Sequence, residues 1–192
     1  MKKRWGLVID QERCIGCEAC TIACKLENNG NGGWVRVETE NAPGKDLPAG
    51  CFPRLHLTFL PRLCNHCDSP PCVEACPEEA IVKREDGIVM LDHELCTGCQ
   101  LCLPACPYDA LTLNEDGTKA EKCNLCLHRI EQDLAPFCVI CCEGQAMHFG
   151  NLNDPESRIS QMVARQEAFL LEPEAGTGPG VYYLPPKPQR PL

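Results

Sequence analysis

The chain has 192 residues, of which 18 are cysteine and only 5% are aromatic, so it is poor in the large side chains that fill a protein core. A cysteine content this high is typical of disulfide scaffolds, zinc proteins and iron–sulfur proteins. The formal net charge of −9 argues against nucleic acid as a partner, because a polyanion attracts cationic proteins.

The N-terminal residues predict neither a secretory signal nor a membrane segment. The basic residues 2–4 lead directly into residues 5–9, which are too few for the apolar part of a signal and have no cleavage site after them. No run approaches the roughly 18 apolar residues of a membrane span. We therefore expect a chain that folds in the cytoplasm, where disulfides are rare, and that does not itself cross a membrane.

The cysteines form four groups along the chain, called motifs 1 to 4. Motifs 1 and 3 have the spacing C-x2-C-x2-C-x3-C and motif 2 has C-x2-C-x4-C-x3-C, whereas motif 4 begins C-x2-C and then has a gap of eleven residues. The members are Cys14, Cys17, Cys20 and Cys24 in motif 1, Cys64, Cys67, Cys72 and Cys76 in motif 2, Cys96, Cys99, Cys102 and Cys106 in motif 3, and Cys123, Cys126, Cys138 and one of Cys141 and Cys142 in motif 4.

The sequence around the motifs repeats as well. Short apolar runs that end in Asp10 and Asp92 precede motifs 1 and 3, and short apolar runs follow motifs 2 and 3. Two Glu-Asp-Gly triplets, which end at Gly87 and Gly117, lie beside these runs and predict two-residue hairpin turns. The repeated unit is therefore strand, cysteine loop, short helix and strand.

This repeat selects the last member of motif 4. Motifs 1 to 3 all end in C-x3-C, and in motifs 2 and 3 an alanine and an apolar residue stand four and five positions after the last cysteine. Cys142 keeps both features, since it follows Cys138 at the right spacing and precedes Ala146 and Met147, whereas Cys141 keeps neither. We predict Cys142 as the ligand and leave Cys51 and Cys141 without a metal-binding role.

The spacing is typical of iron–sulfur proteins. A C-x2-C-x2-C loop wraps around three corners of a cubane cluster, and in two-cluster ferredoxins the fourth cysteine binds the other cluster. Four motifs make two such pairs, which predicts four 4Fe–4S clusters. Zinc and disulfides are the alternatives, but a zinc knuckle does not need the third and fourth cysteines. Motifs 1 and 4 are the least regular, because Lys25 and Glu143 stand where motifs 2 and 3 have proline.

Residues outside the motifs suggest supporting roles. We predict that His66 hydrogen-bonds the backbone or a cluster sulfur, and that Tyr108 shields a cluster. Lys122 and Arg129 either raise the potential of a nearby cluster or lie on the solvated surface. Residues 155–168 predict an amphipathic helix. The Pro- and Gly-rich tail beyond it is expected to dock along a partner, with packing on its own domain as the alternative.

With these residues in view, the chain resembles the four-cluster iron–sulfur subunit of molybdopterin-dependent oxidoreductases, a family that includes the small subunits of polysulfide, thiosulfate, dimethyl sulfoxide and respiratory arsenate reductases. The likeness covers nearly the whole chain. Besides the motifs, it includes CNHCDSPPC at residues 64–72, GNLNDPES at residues 150–157 and PEAGTGPGVYY at residues 173–183. Glu143 and the additional Cys141 depart from the usual pattern.

The resemblance implies an α+β fold with two ferredoxin-like domains, one inserted in the other. Residues 1–58 and 114–151 would form the first domain, residues 59–113 the inserted domain, and residues 152–192 a C-terminal helix and partner-docking tail. It also implies four ligand sets. Set 1 is Cys14, Cys17, Cys20 and Cys142, set 2 is Cys64, Cys67, Cys72 and Cys106, set 3 is Cys96, Cys99, Cys102 and Cys76, and set 4 is Cys123, Cys126, Cys138 and Cys24.

The implied function is electron transfer without catalysis. The chain would relay single electrons to or from a large molybdopterin subunit with Mo or W, which set 1 would face, and a membrane-anchor subunit is a further possible partner. A four-cluster subunit of a hydrogenase or formate-linked complex, or a free polyferredoxin carrier, is the alternative. Export in the folded state with a signal-bearing partner would bring the chain to the periplasmic face of the membrane, and a cytoplasmic location is the alternative.

Overall fold

The computed structural model describes residues 2–28, 33–40, 42, 44 and 47–186. Within these ranges the fold is a mixture of short strands and helices. The strands are β1 (Trp5–Asp10), β2 (Arg36–Thr39), β3 (Ala49–Cys51), β4 (Arg54–His56), β5 (Phe59–Arg62), β6 (Ile81–Lys83), β7 (Val89–Leu91), β8 (Leu111–Leu113), β9 (Ala120–Lys122), β10 (Met147–Asn151) and β11 (Val181–Leu184). The helices are α1 (Ala19–Glu27), α2 (Pro71–Glu74), α3 (Cys102–Ala105), α4 (Leu127–Ile130), α5 (Phe137–Ile140) and α6 (Arg158–Arg165), with a 3₁₀ turn at Pro173–Ala175.

Strand pairing links the four motifs in a ring. The strand that follows each of motifs 1 to 3 pairs antiparallel with the strand before the next motif, which gives the pairs β2·β5, β6·β7 and β8·β9. After motif 4, strand β10 returns to pair with β1, which precedes motif 1. The repeated unit of strand, loop, helix and strand is confirmed. The two strands that flank each cysteine loop each pair with a strand that flanks another motif.

The hairpins predicted at the Asp-Gly pairs form, but the prediction of two-residue turns is wrong. Residues 84–88 join β6 to β7, and residues 114–119 join β8 to β9. In the first loop the Asp86 carboxylate accepts a hydrogen bond from the Ile88 amide at 3.3 Å. In the second, Asn114 Oδ1 accepts from the amides of Thr118 and Lys119 at 2.8 and 2.9 Å. These side chains satisfy loop amides, so the chain tolerates a longer turn.

Residues 177–184 of the C-terminal tail pack on the rest of the chain. Strand β11 pairs parallel with β1, opposite β10, in a sheet of order β10-β1-β11. Tyr183 is fully buried, and its hydroxyl donates to the Pro61 carbonyl at 2.9 Å. The expectation that residues 181–184 dock on a partner is therefore wrong, because these residues belong to the core. Residues 187–192 lie outside the described part of the chain.

Helix α6 is shorter than the predicted span of residues 155–168. It begins after Ser157, whose Oγ accepts a hydrogen bond from the Ser160 amide at 3.3 Å, and it ends where Gln166 is extended. Its buried Ile159 packs on the sheet against Val8. Among the described residues, no helix is both long enough and apolar enough to cross a membrane.

The main core combines apolar side chains with thiols. Leu7, Ile9 and Tyr183 of the sheet pack with Ile88 and Leu125 near the cysteine loops. The buried cysteines of this core are Cys20, Cys24, Cys64, Cys67, Cys123 and Cys138. The core thus includes residues from both predicted ferredoxin-like domains and depends on cysteine for much of its interior. The division into a first and an inserted domain stays a prediction.

Candidate metal centre

The four C-x2-C loops share one backbone feature despite their different sequences. The residue before the second cysteine has a positive φ in every motif, with values of 69° for Gly16, 43° for His66, 74° for Gly98 and 58° for Leu125. A left-handed residue turns the chain sharply, which brings backbone amides towards the preceding cysteine. In motif 4 the Leu125 amide donates to Cys123 Sγ at 3.3 Å. The loops are therefore built for close approach of backbone to sulfur.

Replacing Gly98 with alanine is expected to remove the iron of about one cluster from the purified protein. Gly98 has a φ of 74°, and a Cβ there would collide with the carbonyl oxygen of Thr118, which is backbone and cannot swing away. Gly117→Ala is the matched control, since Gly117 has a φ of 67° but nothing within 4 Å of its Cβ position. It should lose about 1 kcal/mol of stability and keep its iron. Equal iron in both variants would show that the loop around Gly98 is not needed for cluster binding.

The end of motifs 2 to 4 also repeats in the backbone. The residue three positions after the last cysteine has a φ of 50° or 51°, and its amide donates to the carbonyl of that cysteine at 2.9 to 3.3 Å. The three residues are Glu79, Asp109 and Gln145, which follow Cys76, Cys106 and Cys142. Counted from Cys141, the position would fall on Gly144, whose φ is not positive. The backbone therefore supports Cys142 as the equivalent of Cys76 and Cys106.

Three of the predicted ligand sets each line one cavity. The lining cysteines are Cys14, Cys17, Cys20 and Cys142 in the first cavity, Cys76, Cys96, Cys99 and Cys102 in the second, and Cys24, Cys123, Cys126 and Cys138 in the third. Each cavity takes three cysteines from one motif and one from another, which is the exchange that paired ferredoxin motifs make.

The thiols of set 2 are close enough to influence one another. Burial raises the pKa of Cys67 and of Cys72, and the neighbouring Cys64 and Cys106 raise both values further. Cys64, Cys67 and Cys72 are buried, and Cys106 is half-buried. The structure thus brings these four side chains to one region.

The sets also lie next to one another in a definite order. Burial raises the pKa of Cys138 in set 4, and Cys20 of set 1 contributes to the rise. Burial likewise raises the pKa of Cys123 in set 4, with a contribution from Cys64 of set 2. Helix α2, which carries Cys72, packs on α3, which begins at Cys102. The order through the protein is therefore set 1, set 4, set 2 and set 3.

Burial keeps these thiols protonated until a metal binds them. It raises the pKa of both Cys20 and Cys72 to about 12. A thiol binds iron as a thiolate, so the metal must displace each proton from a site that does not favour a free anion. Binding of the metal and formation of this core are consequently one coupled process.

The donor sets fit an iron–sulfur cluster better than a single ion. Across the described residues, no three His, Cys, Asp or Glu side chains converge as a single metal ion requires. A zinc ion needs sulfurs at about 2.3 Å from one point. Four cysteines from two motifs that line one cavity instead suit a multi-atom cluster whose metal atoms each take one thiolate.

Lys122 is buried, so the expectation that it lies on the solvated surface is wrong, and its effect on a cluster potential stays a prediction. It is 3% exposed, and its Nζ donates to the carbonyls of Val89 and, at 2.6 Å, of Cys123. The Val89 amide in turn donates to His66 Nδ1 at 3.0 Å. Burial keeps the pKa of His66 well below its usual value, and the nearby Lys122 lowers it further. Sequence reasoning missed this network, because a lysine beside a cysteine motif gives no signal of burial.

The remaining candidates have ordinary structural contacts. The Arg129 guanidinium pairs with Glu27 at 3.2 Å and joins α4 to α1. The hydroxyls of Tyr108 and Thr177 share a hydrogen bond of 2.5 Å, and Tyr108 is buried beside the cysteines of set 2. Cys141 Sγ donates to the Ala19 carbonyl at 3.4 Å.

Comparison with known proteins identifies 4Fe–4S domains in this chain. Residues 55–152 match the family of 4Fe–4S dicluster domains, and residues 5–26 match a 4Fe–4S binding domain. A subunit of the tetrathionate reductase of Salmonella typhimurium is 43% identical over 95% of this chain and 73% of its own length. A subunit of the polysulfide reductase of Wolinella succinogenes is 35% identical over 97% of both proteins. The arsenate respiratory reductase iron–sulfur subunit of a Shewanella species is 34% identical over 94% of this chain and 96% of its own.

All three relatives are subunits of reductases, and the arsenate reductase relative is an iron–sulfur subunit by name. These names favour a reductase subunit over the alternatives of a hydrogenase subunit, a formate-linked subunit or a free carrier. The chain belongs to the iron–sulfur subunits of molybdopterin oxidoreductases, which transfer electrons for a catalytic subunit and are not themselves catalytic.

Proposed function

We propose that the chain holds four 4Fe–4S clusters, one on each of sets 1 to 4. The observation that carries the proposal is the gathering of cysteines from separate motifs around common cavities. Bound clusters would supply one-electron redox chemistry there. The chain's own residues hold them by thiolate ligation, donate backbone N–H groups to sulfur and keep water out of the interior.

The pairing of motifs is supported by helix contacts as well as by the resemblance. Helix α1 of motif 1 packs on α5 of motif 4, and α2 of motif 2 packs on α3 of motif 3. These contacts support a first ferredoxin-like domain over residues 1–58 and 114–151 with an inserted domain over residues 59–113. The sequence of sets 1, 4, 2 and 3 would then be the order of electron relay.

We propose that set 1 faces the large molybdopterin subunit. Cys17 of this set is exposed, and Ile15, which lines the same cavity, is 61% exposed. At the other end of the relay Cys99 is exposed between Leu95 and Leu101, which are 54% and 53% exposed. A membrane-anchor subunit or a second redox partner would accept or supply electrons at this end.

Cluster insertion requires the cytoplasm, so the proposed route is folding there and export with a signal-bearing partner to the periplasmic side of the membrane. A cytoplasmic location is the alternative. Protease added to spheroplasts from anaerobic cells distinguishes the two, because the chain would be accessible from the periplasmic side in the first case only.

Anaerobic purification of the native complex, followed by mass spectrometry, tests the partner. We expect a large subunit that contains molybdopterin to co-elute in equal amount with this chain. If the chain instead elutes alone with its iron intact, a free carrier is the better account. If it elutes with a hydrogenase or a formate-linked enzyme, the second alternative holds.

A further inference from the structure

Lys122 is a buried cation whose charge no described acidic side chain balances. Its Nζ donates to two backbone carbonyls, those of Val89 and Cys123, and no carboxylate of the described residues forms an ion pair with it. Its neighbour Glu121 is also buried but is engaged elsewhere, by the Trp34 indole N–H at 3.4 Å. Buried charges are normally paired or lie beside a metal centre, so this ammonium requires a counter-charge.

The position of Lys122 indicates where that counter-charge comes from. Its Nζ donates to the carbonyl of Cys123, a ligand of set 4, and to the carbonyl of Val89. The Val89 amide donates to His66, which lies inside the cysteine loop of set 2. Lys122 therefore lies within electrostatic range of two ligand sets at once. A 4Fe–4S cluster on four thiolates is an anion, and its negative charge increases when it is reduced.

His66 extends the same network towards set 2. Its Nδ1 accepts the Val89 amide proton, so its other ring nitrogen, Nε2, carries the proton of the neutral ring. That buried Nε2 has no hydrogen-bond partner among the described residues. A buried N–H without an acceptor beside a cysteine loop fits donation to a cluster sulfur, and hydrogen bonds to sulfur are one of the features that set cluster potential.

We propose that Lys122, held by Val89 and supported by His66, is the positive charge that sets the reduction potentials of the clusters on sets 2 and 4 at the middle of the relay. This inference rests on the proposed function. Lys122 acts on the clusters through space and not as a ligand. Its positive charge stabilises the reduced form of whichever of the two clusters holds the electron.

Redox titration of the anaerobically purified complex, monitored by electron paramagnetic resonance, tests the proposal. Lys122→Gln removes the charge but keeps a donor for the same carbonyls, and we expect one or two clusters to shift to lower potential. The expected size is roughly a tenfold fall in the ratio of reduced to oxidised cluster at a fixed potential, about 59 mV for one electron. Lys122→Arg keeps the charge and should stay near the wild-type values.

Lys119→Gln is the matched control, because it removes a positive charge from the same hairpin. The Nζ of Lys119 is solvent-exposed and donates to the His93 carbonyl at 2.6 Å. Unchanged potentials in a Lys122→Gln protein that holds all its clusters would overturn the proposal. It would also be overturned if both the Gln and the Arg variant lost iron that the wild type holds. Loss of iron from the Gln variant alone supports it. Wild-type protein without 4Fe–4S signals would refute the proposed function itself.

Discussion

Cys142→Ser should cost the protein one cluster, whereas Cys141→Ser should cost none. The two residues are adjacent, but only Cys142 lines the cavity of set 1 together with Cys14, Cys17 and Cys20. A serine hydroxyl at that position is a poor ligand for iron. We expect the iron content to fall by about a quarter, because one of four clusters is lost. Electron transfer with the catalytic partner should fall to background, since set 1 is the proposed contact with it.

Iron and acid-labile sulfide per chain, with the resonance spectrum of the reduced protein, measure this effect. Cys141→Ser is the matched control, because its Sγ contacts the carbonyls of Ala19 and Cys138 at 3.4 and 3.7 Å. Its iron content should equal that of the wild type. Loss of iron from Cys141→Ser but not from Cys142→Ser would show that Cys141 is the ligand of motif 4. Gln145 would then not be the equivalent of Asp109.

Removing the clusters should unfold the main core. Cys20, Cys24, Cys64, Cys67, Cys123 and Cys138 belong to that core. Without metal, these thiols enclose cavities that the few large side chains of the chain do not fill. Metal binding contributes on the order of 10 kcal/mol to the folding of small metal-dependent domains. A loss of that size is comparable with the whole free energy of unfolding of a typical native protein, about 5–15 kcal/mol.

Amide hydrogen exchange before and after anaerobic removal of iron by a chelator measures this loss. We expect the protection of β1 and β10 to fall at least ~100-fold, equivalent to about 2.7 kcal/mol, and to return when iron and sulfide are restored. The β3–β4 hairpin is an internal control, because its strands pair with each other and it exposes Leu55 of β4 and Phe52 of the turn. Full protection of β1 in iron-free protein would show that apolar packing alone holds the fold.

The cysteine loops are predictable from the sequence because their spacing is a local constraint. A C-x2-C-x2-C loop has few ways to present its sulfurs to one body, and the repeated tails distinguish Cys142 from its neighbour. The hairpins at Gly87 and Gly117 are predictable for the same reason. Their turn lengths are not, because the side chains of Asp86 and Asn114 bond amides within the loop.

Features that depend on distant parts of the chain were missed. Strand β11 joins β1 from the opposite end of the sequence, and its short apolar run between Pro- and Gly-rich segments looked like an exposed tail. The burial of Lys122 depends on β7 and on the loop of motif 2 packing around β9. Neither contact leaves a periodic signal in the sequence.

The content of iron and acid-labile sulfide per chain, in protein purified without oxygen, tests the central claim most directly. Four clusters on sets 1 to 4 predict about 16 iron atoms and about 16 sulfides for each chain. About eight of each would mean that two of the sets bind no cluster, and zinc in place of iron would contradict the relay altogether.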